Sequence, residues 1–462
     1  MRYFSTRGLA EPVSFKDAVL SGLARDGGLL IPESIPDASG RMAEWAALSY
    51  PELAAEIFGL FADLPRAALD DLARRSCAAF RHPEVAPVVK AGNIRLLELF
   101  HGPTLAFKDL ALQFLGRLFE YYLAEDRREL NLLAATSGDT GSAAIHGVRG
   151  RENIRIFVLF PRGRVSPVQE RQMTTVPDAN VHAIAVRGSF DDCQALVKTL
   201  FRDLEFRDAF RLGSVNSINW ARIMAQIVYY FYAAFRVLEQ TGAEGVRFTV
   251  PTGNFGDIFA GYMARKMGLP IRKLVLATNE NDILSRFFRT GEYRRGAVHP
   301  TPSPSMDIQA ASNFERYLYY RTGNSPERVR ALMDAFDRTR SLSIPPLPGG
   351  AIDDAFAAGS CNTAETLATI RDFYERHERL LDPHTAVGVK VALENMSESE
   401  PMICIATAHP AKFGAAIREA TGRDLAHHDI LDALANLPTR CSVLDRDADA
   451  LRAFIRGRVA ST

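Results

Sequence analysis

Leu132-Leu133-Ala134-Ala135-Thr136-Ser137-Gly138-Asp139-Thr140-Gly141-Ser142 reads as a buried strand, a tight loop and the first turn of a helix. The apolar run is too short for a core helix, and the Thr, Ser, Asp and Gly that follow are residues that cap helices and permit turns. Outward from this segment the same rhythm repeats. Short apolar runs at 132–135, 154–160, 181–186, 211–215, 247–250, 273–277 and 402–406 predict strands. Between them, apolar residues of helical period predict helices near 140–148, 165–174, 190–202, 219–239 and 256–268. This alternation is that of βαβ units and predicts an α/β fold. Ile156-Phe157-Val158-Leu159-Phe160 and Met402-Ile403-Cys404-Ile405-Ala406 are apolar throughout, as in parallel strands covered on both faces. Ligands of such sheets bind beyond the C-terminal strand ends, so the loops there are the places to seek chemistry.

The first 95 or so residues differ. They are helix-rich and show no strand-loop-helix repeat before Asn93-Ile94-Arg95-Leu96-Leu97, which predicts a separate N-terminal domain. A second break, at 293–304, precedes a helical stretch running to about residue 379, interrupted by Pro345-Pro346-Leu347-Pro348-Gly349-Gly350. It reads as a helical insertion in the α/β core.

Composition narrows the function. The 462 residues are 47% hydrophobic and carry 55 Lys+Arg against 55 Asp+Glu. Zero net charge offers no basic footprint for nucleic acid or for an anionic membrane. The most apolar helical stretch, 223–238, contains Gln226 and Arg236 and is shorter than a membrane span. No apolar segment of signal-peptide type follows Arg2 and Arg7, so a cytoplasmic location is expected. Five scattered cysteines without a C-x-x-C suit reduced thiols, and Cys404 sits in an apolar run where a packed thiol is expected.

Four loops carry candidate chemistry. In Phe100-His101-Gly102-Pro103-Thr104-Leu105-Ala106-Phe107-Lys108-Asp109, a lysine opens a helix after a Gly-Pro turn. It is either a solvated cation or, beside Phe107 and a positive helix end, an amine of depressed pKa suited to Schiff-base chemistry. The 135–142 loop is either a set of caps or an anion site. Pro251-Thr252-Gly253-Asn254-Phe255-Gly256-Asp257 is neither a Walker A loop nor G-x-G-x-x-G. It suits a single terminal phosphate, or is a plain turn into a helix. Leu381-Asp382-Pro383-His384-Thr385-Ala386-Val387-Gly388 and Ala406-Thr407-Ala408-His409-Pro410-Ala411-Lys412-Phe413 complete the set. Their histidines lack any metal-ligand spacing, and no metal site is expected.

Taken in order, these segments resemble the threonine synthase family, pyridoxal-phosphate enzymes of fold type II. The resemblance runs nearly end to end. It takes in Met1-Arg2-Tyr3-Phe4-Ser5-Thr6-Arg7-Gly8, Asp26-Gly27-Gly28-Leu29-Leu30-Ile31-Pro32, the four loops, Asn216-Ser217-Ile218-Asn219, Pro302-Ser303-Pro304-Ser305-Met306-Asp307-Ile308 and Ser312-Asn313-Phe314-Glu315-Arg316.

The resemblance implies two open, twisted, mainly parallel sheets with flanking helices, plus an N-terminal domain at 1–95. A large cofactor domain would comprise 96–129 and 214–462, with the helical insertion near 305–380, and a small mobile domain would comprise 130–213. It further implies pyridoxal 5′-phosphate held by Lys108 as a Schiff base, by the phosphate loop Gly253, Asn254, Phe255, Gly256 and Asp257, and by Thr385 at the pyridine nitrogen. Thr136, Ser137, Asp139 and Thr140 would clasp the substrate carboxylate, with Asp139 also approaching the cofactor's 3′-oxygen. Many relatives in the wider fold have Asn where this chain has Asp139. Ser217, Asn219 and Arg222 would take the substrate phosphate, while the motif from Ser303 to Arg316 marks the family without an assigned role. The activity implied is conversion of O-phospho-L-homoserine and water to L-threonine and phosphate by a monomer or homodimer. A phospholyase or a threonine or serine dehydratase yielding a 2-oxo acid is the alternative, and a non-catalytic phosphoamino-acid-binding protein is a more distant one.

Overall fold

The structure, a computed structural model, describes residues 1–459. Two sheets organise it. The larger has six strands in the spatial order Phe356–Ser360, Ile271–Thr278, Val246–Pro251, Met402–Ala406, Ile94–Glu98 and Val88–Ala91. Every pairing is parallel except the last, an antiparallel hairpin. The smaller sheet runs Ser442–Asp445, Val181–Arg187, Ile154–Pro161, Leu130–Ala135 and Leu212–Gly213, parallel throughout. Leu130–Ala135 and Met402–Ala406 are buried at every position, which explains their apolar sequences: helices cover both faces.

The helix Trp220–Thr241 forms the spine. Asn219 caps its start, Gly242 ends it in the left-handed conformation at φ 67°, and all but a few residues of its last turns are buried. Residues apolar all round require neighbours on every side. The neighbours are the helices Tyr50–Phe61, Lys108–Asp126 and Gly256–Lys266. The N-terminal segment thus packs against the spine, with Trp45 edge-on to Phe231 and Tyr50 edge-on to Tyr232.

Two sequence expectations change. The N-terminal segment is helix-rich, as expected, and also carries short strands: Tyr3–Ser5 pairs with Leu30–Pro32, and Val88–Ala91 precedes residue 93. The stretch taken as a helical insertion supplies the outer strand Phe356–Ser360 of the large sheet, and its strand Ser341–Ser343 pairs antiparallel with Glu292–Arg294. The C-terminal strand Ser442–Asp445, assigned by sequence to the large domain, pairs with Val181–Arg187 of the small sheet. The helix after it, Ala448–Val459, buries Leu451 and Ile455 in the core of that sheet. Phe356–Ser360 and Ser442–Asp445 are short and largely not buried, so they lack the apolar run that marks a central strand.

Both sheets direct the C-terminal ends of their central strands, and the loops that follow, toward one region. Among the described residues, no helix is long and apolar enough to cross a membrane. Nor does any group of three His, Cys, Asp or Glu among them form a metal-binding cluster.

Candidate active site

Lys108 is the first residue of the helix Lys108–Asp126 and is buried. Its loop is bound to the strand exit of Met402–Ala406: Phe107 N–H donates to Thr407 O at 2.8 Å and His409 N–H to Leu105 O at 3.0 Å. Asp109 braces the turn by accepting from Thr104 N–H (2.8 Å) and Thr104 Oγ1 (2.7 Å). Burial pushes its carboxyl up to about 6.

Lys108 Nζ lies 3.5 Å from Asp139 Oδ2 and 4.8 Å from the centre of the Phe107 ring. Burial lowers the amine below the ordinary lysine range; Asp139 opposes the shift, and Lys412 and Arg222 add to it. Lys412, whose side chain is wholly buried, places its Nζ 2.8 Å from Asp139 Oδ1 and donates to Thr104 O at 2.7 Å. Gln169 Nε2 donates to the same Asp139 oxygen at 2.8 Å. Burial alone would raise the Asp139 carboxyl, but Lys412 and Lys108 hold it well below the usual carboxylate range. The site therefore contains a fixed anion between two amines.

Asp139 opens the helix Asp139–Val148. Thr136 Oγ1 accepts from Gly138 N–H (3.0 Å) and Gly141 N–H (2.8 Å), so this hydroxyl shapes the loop. Ser137 and Thr140 stand half-buried beside it.

The 253–257 loop is held from three sides. A Cβ on Gly253 would lie 2.4 Å from Ser305 O, so only glycine fits. Asn254 O accepts from Asn313 N–H at 3.0 Å. Phe255, at φ 65°, buries its ring among Phe288, Phe314 and Phe356. Asp257 points its carboxylate toward the spine helix, where Tyr229 and Tyr230 hydroxyls donate to Oδ1 at 2.6 and 2.8 Å. Side chains thus anchor the loop, which leaves its main-chain N–H groups as the candidates for holding an anion.

Ser217 Oγ lies 3.1 Å from Ser312 Oγ, which donates to Asn254 Oδ1 at 3.4 Å, so Ser217 is joined to this loop. Arg222 donates from Nη1 to Val215 O at 3.2 Å, while its Nε is buried without a partner. Burial lowers its guanidinium to about 10. Asn219 is committed to the fold: its amide donates to Val19 O and Ser214 O, and its carbonyl caps Ala221 N–H.

Thr385 lies buried in the first turn of Pro383–Glu394. Its Oγ1 donates to Asp382 Oδ2 and accepts from Thr407 N–H at 3.2 Å. Lys412, Asp382 and Gln169 belong to the site although the sequence reading assigned them no part. The available signal was Lys412 itself, a lysine in the loop after a central strand. Arg316 gives its motif a purpose, binding Leu30 O (2.9 Å) and Ile218 O (2.6 Å) and Asn313, and so tying the N-terminal segment to both anion loops.

Arg222 Nε, on the spine helix, and Thr407 Oγ1 are buried polar atoms without partners beside these loops. Together with the glycine-only approach at Gly253, they fit a bound phosphorylated aromatic ligand.

Residues 2–77 match the family described as threonine synthase N terminus, residues 81–355 pyridoxal-phosphate dependent enzyme, and residues 385–455 threonine synthase, C-terminal. A threonine synthase of Pseudomonas aeruginosa is 47% identical over 463 residues, covering 98% of both chains. One of Schizosaccharomyces pombe is 47% identical over 456 residues, covering 90% of this chain and 89% of its own. Among solved structures, the pyridoxal-phosphate-bound threonine synthase of Brucella melitensis superposes with a TM-score of 0.94 at 48% identity, covering 99% of each chain. That of yeast gives 0.92 at 41%, covering 100% and 99%. These relatives support the synthase over the dehydratase or phospholyase alternative. The cofactor is pyridoxal 5′-phosphate, the fold is type II, and the activity is that of a lyase in amino-acid biosynthesis. With end-to-end identity to its members on both chains, the protein belongs to the threonine synthase family.

Proposed function

We propose that the protein converts O-phospho-L-homoserine and water into L-threonine and phosphate. The observation that carries this reading is the convergence of three anion-binding features on the buried Lys108 amine: the 136–141 loop, the 253–257 loop, and Ser217 with Arg222.

Lys108, Thr385 and the loop Gly253-Asn254-Phe255-Gly256-Asp257 would hold the cofactor, which supplies an electron sink for negative charge at the substrate's Cα. Arg222, with its unpartnered Nε, and Ser217 take the substrate phosphate. The Ser137 and Thr140 hydroxyls and the N–H groups opening the helix Asp139–Val148 take the carboxylate. Asp139, held ionised by Lys412, orients the Lys108 amine.

Because its amine lies below the ordinary lysine range, Lys108 serves as general base for the Cα proton and then a Cβ proton. After phosphate leaves from Cγ, the same group returns a proton to Cγ, takes one from the water whose hydroxyl bonds to Cβ, and gives one back to Cα, while the remaining proton departs with the leaving group as hydrogen phosphate.

Stray hydrolysis is limited by closure of the small sheet's domain over the site. We retain the division into 1–95, 96–129 with 214–462, and 130–213, with 442–459 moved to the small domain on the strength of its strand pairing. Small-angle scattering with and without a substrate analogue tests the closure, and unchanged dimensions would count against it.

The deciding assay incubates the purified protein with O-phosphohomoserine and measures threonine, phosphate and oxobutyrate. Threonine and phosphate in equal amounts are expected. Oxobutyrate in place of threonine overturns the reading.

A further inference from the structure

Pro410–Phe413 is a short turn of 3-10 helix that carries Lys412, and its first residue, a proline, has no N–H to offer. The orphan donors at its start are therefore those of Ala411 and Lys412. Both go to His409. Ala411 N–H donates to the ring nitrogen Nδ1 at 3.2 Å, and Lys412 N–H donates to the main-chain oxygen at 3.1 Å. His409 gives its own N–H to Leu105 O at 3.0 Å, so it joins the Lys412 turn to the loop that leads into Lys108.

A main-chain N–H can only donate, so Nδ1 of His409 is a bare, accepting nitrogen and the ring is neutral. Its surroundings keep it so. Phe100 and His428 lie edge-on to the ring, with centroids 5.5 and 4.8 Å away. Burial, and then the neighbouring His428 and His101, push His409 down to about 4 against the pull of Asp382 and Glu98. His101 is itself engaged by Glu98, whose Oε2 lies 2.9 Å from Nε2, and His428 Nδ1 accepts from Ile430 N–H at 3.2 Å. An imidazole that takes up no proton near neutral pH keeps its cap.

The wholly buried Lys412 side chain runs from this turn to Thr104 O and Asp139 Oδ1, at 2.7 and 2.8 Å, and Asp139 Oδ2 lies 3.5 Å from Lys108 Nζ. In close packing of this kind the direction of the turn, and not free rotation of the side chain, decides where the ammonium sits.

We propose that His409 is a positioning residue for Lys412: its neutral ring caps the turn Pro410–Phe413 and fixes the ammonium that occupies Asp139 opposite Lys108. Asp139 then shares its charge between two amines. Without the cap the Lys412 ammonium withdraws, Asp139 turns to Lys108 alone, and the Lys108 amine holds its proton more firmly. This rests on the reading that the Asp139–Lys412 pair governs the Lys108 amine, and not on the identity of the substrate.

The test is the pH midpoint at which the Lys108 amine becomes reactive, read in the cofactor-free full chain from its rate of acetylation by acetic anhydride and resolved by peptide mass spectrometry. Wild type, His409→Asn, His409→Leu and Lys412→Met are compared. Asparagine keeps an acceptor at the cap, whereas leucine keeps the bulk and has no acceptor. The proposal expects His409→Leu to raise the midpoint by roughly one pH unit, as Lys412→Met does, and His409→Asn to match wild type. A general loss of stability, followed separately by the urea midpoint, does not shift the titration of one amine. If His409→Leu does not fold, His409→Ala takes its place with the same expectation.

A midpoint unchanged in His409→Leu overturns the proposal; if Lys412→Met still raises it, the reading of the Asp139–Lys412 pair survives, and if neither moves it, that reading falls as well. Equal shifts in His409→Leu and His409→Asn also overturn the proposal, because the ring and not the cap would then be what matters.

Discussion

Lys412 Nζ and Asp139 Oδ1 are 2.8 Å apart, both side chains almost wholly buried, and they join the large-sheet loop that follows Met402–Ala406 to the first turn of a small-sheet helix. The pair links the two halves of the site and keeps a carboxylate ionised beside Lys108. A chain with Asn at this position would need no such cation, so Lys412 and Asp139 form one device.

Removing one partner of a buried ion pair strands the other. Lys412→Met is expected to cost about 3–5 kcal/mol of stability, read from the urea midpoint of the cofactor-free protein. Asp139 titrates lower folded than unfolded. Its contribution is complete above about pH 4 and is lost as pH falls through the folded value. The gap between wild type and Lys412→Met should therefore narrow on acidification below about pH 4. A gap that widens there would refute the assignment.

Asp257 has the opposite sign. Burial raises its carboxyl to about 6, so the stability it contributes is full below the unfolded value near 4 and is lost as pH rises through about 6. Comparing wild type with Asp257→Asn in the cofactor-free protein, wild type should lose up to about 3 kcal/mol relative to the variant across that window, at 1.36 kcal/mol per pH unit. A pH-independent difference would show that the carboxyl is not perturbed.

Gly253 leaves no room for a methyl group against Ser305 O. Gly253→Ala must displace main chain, at about 1–3 kcal/mol. If the loop holds the cofactor phosphate, retention of pyridoxal phosphate on dialysis weakens by roughly ten- to a hundredfold while the fold persists by circular dichroism. Unchanged retention would remove the loop from the cofactor site.

Arg316 is fully buried, and burial lowers its guanidinium to about 9. Its bonds to Leu30 O and Ile218 O use the fork of N–H groups that only arginine provides. Arg316→Met leaves those two carbonyls unpaired and should cost about 2–6 kcal/mol, at about 1–3 kcal/mol for each buried group. Arg316→Lys should recover less than half of it, as measured by denaturant midpoint. Full recovery by lysine would mean that charge alone matters.

The amino-acid sequence by itself determined the α/β class, five of the helices along the chain from 139 to 266 though not Leu204–Ala209, and the strand-exit loops that carry the candidate residues. Each depends on local pattern: apolar runs set strands, helical period sets helices, and caps and glycines set the turns between them. Tertiary structure alone decided that Ser442–Asp445 completes the small sheet, that Phe356–Ser360 edges the large one, and that Lys412 neutralises Asp139. The physical reason is common to all three. A half-exposed edge strand has no apolar signature, and the partner of a buried charge is set by which loops the two sheets bring together, a distance in space that no spacing along the chain records.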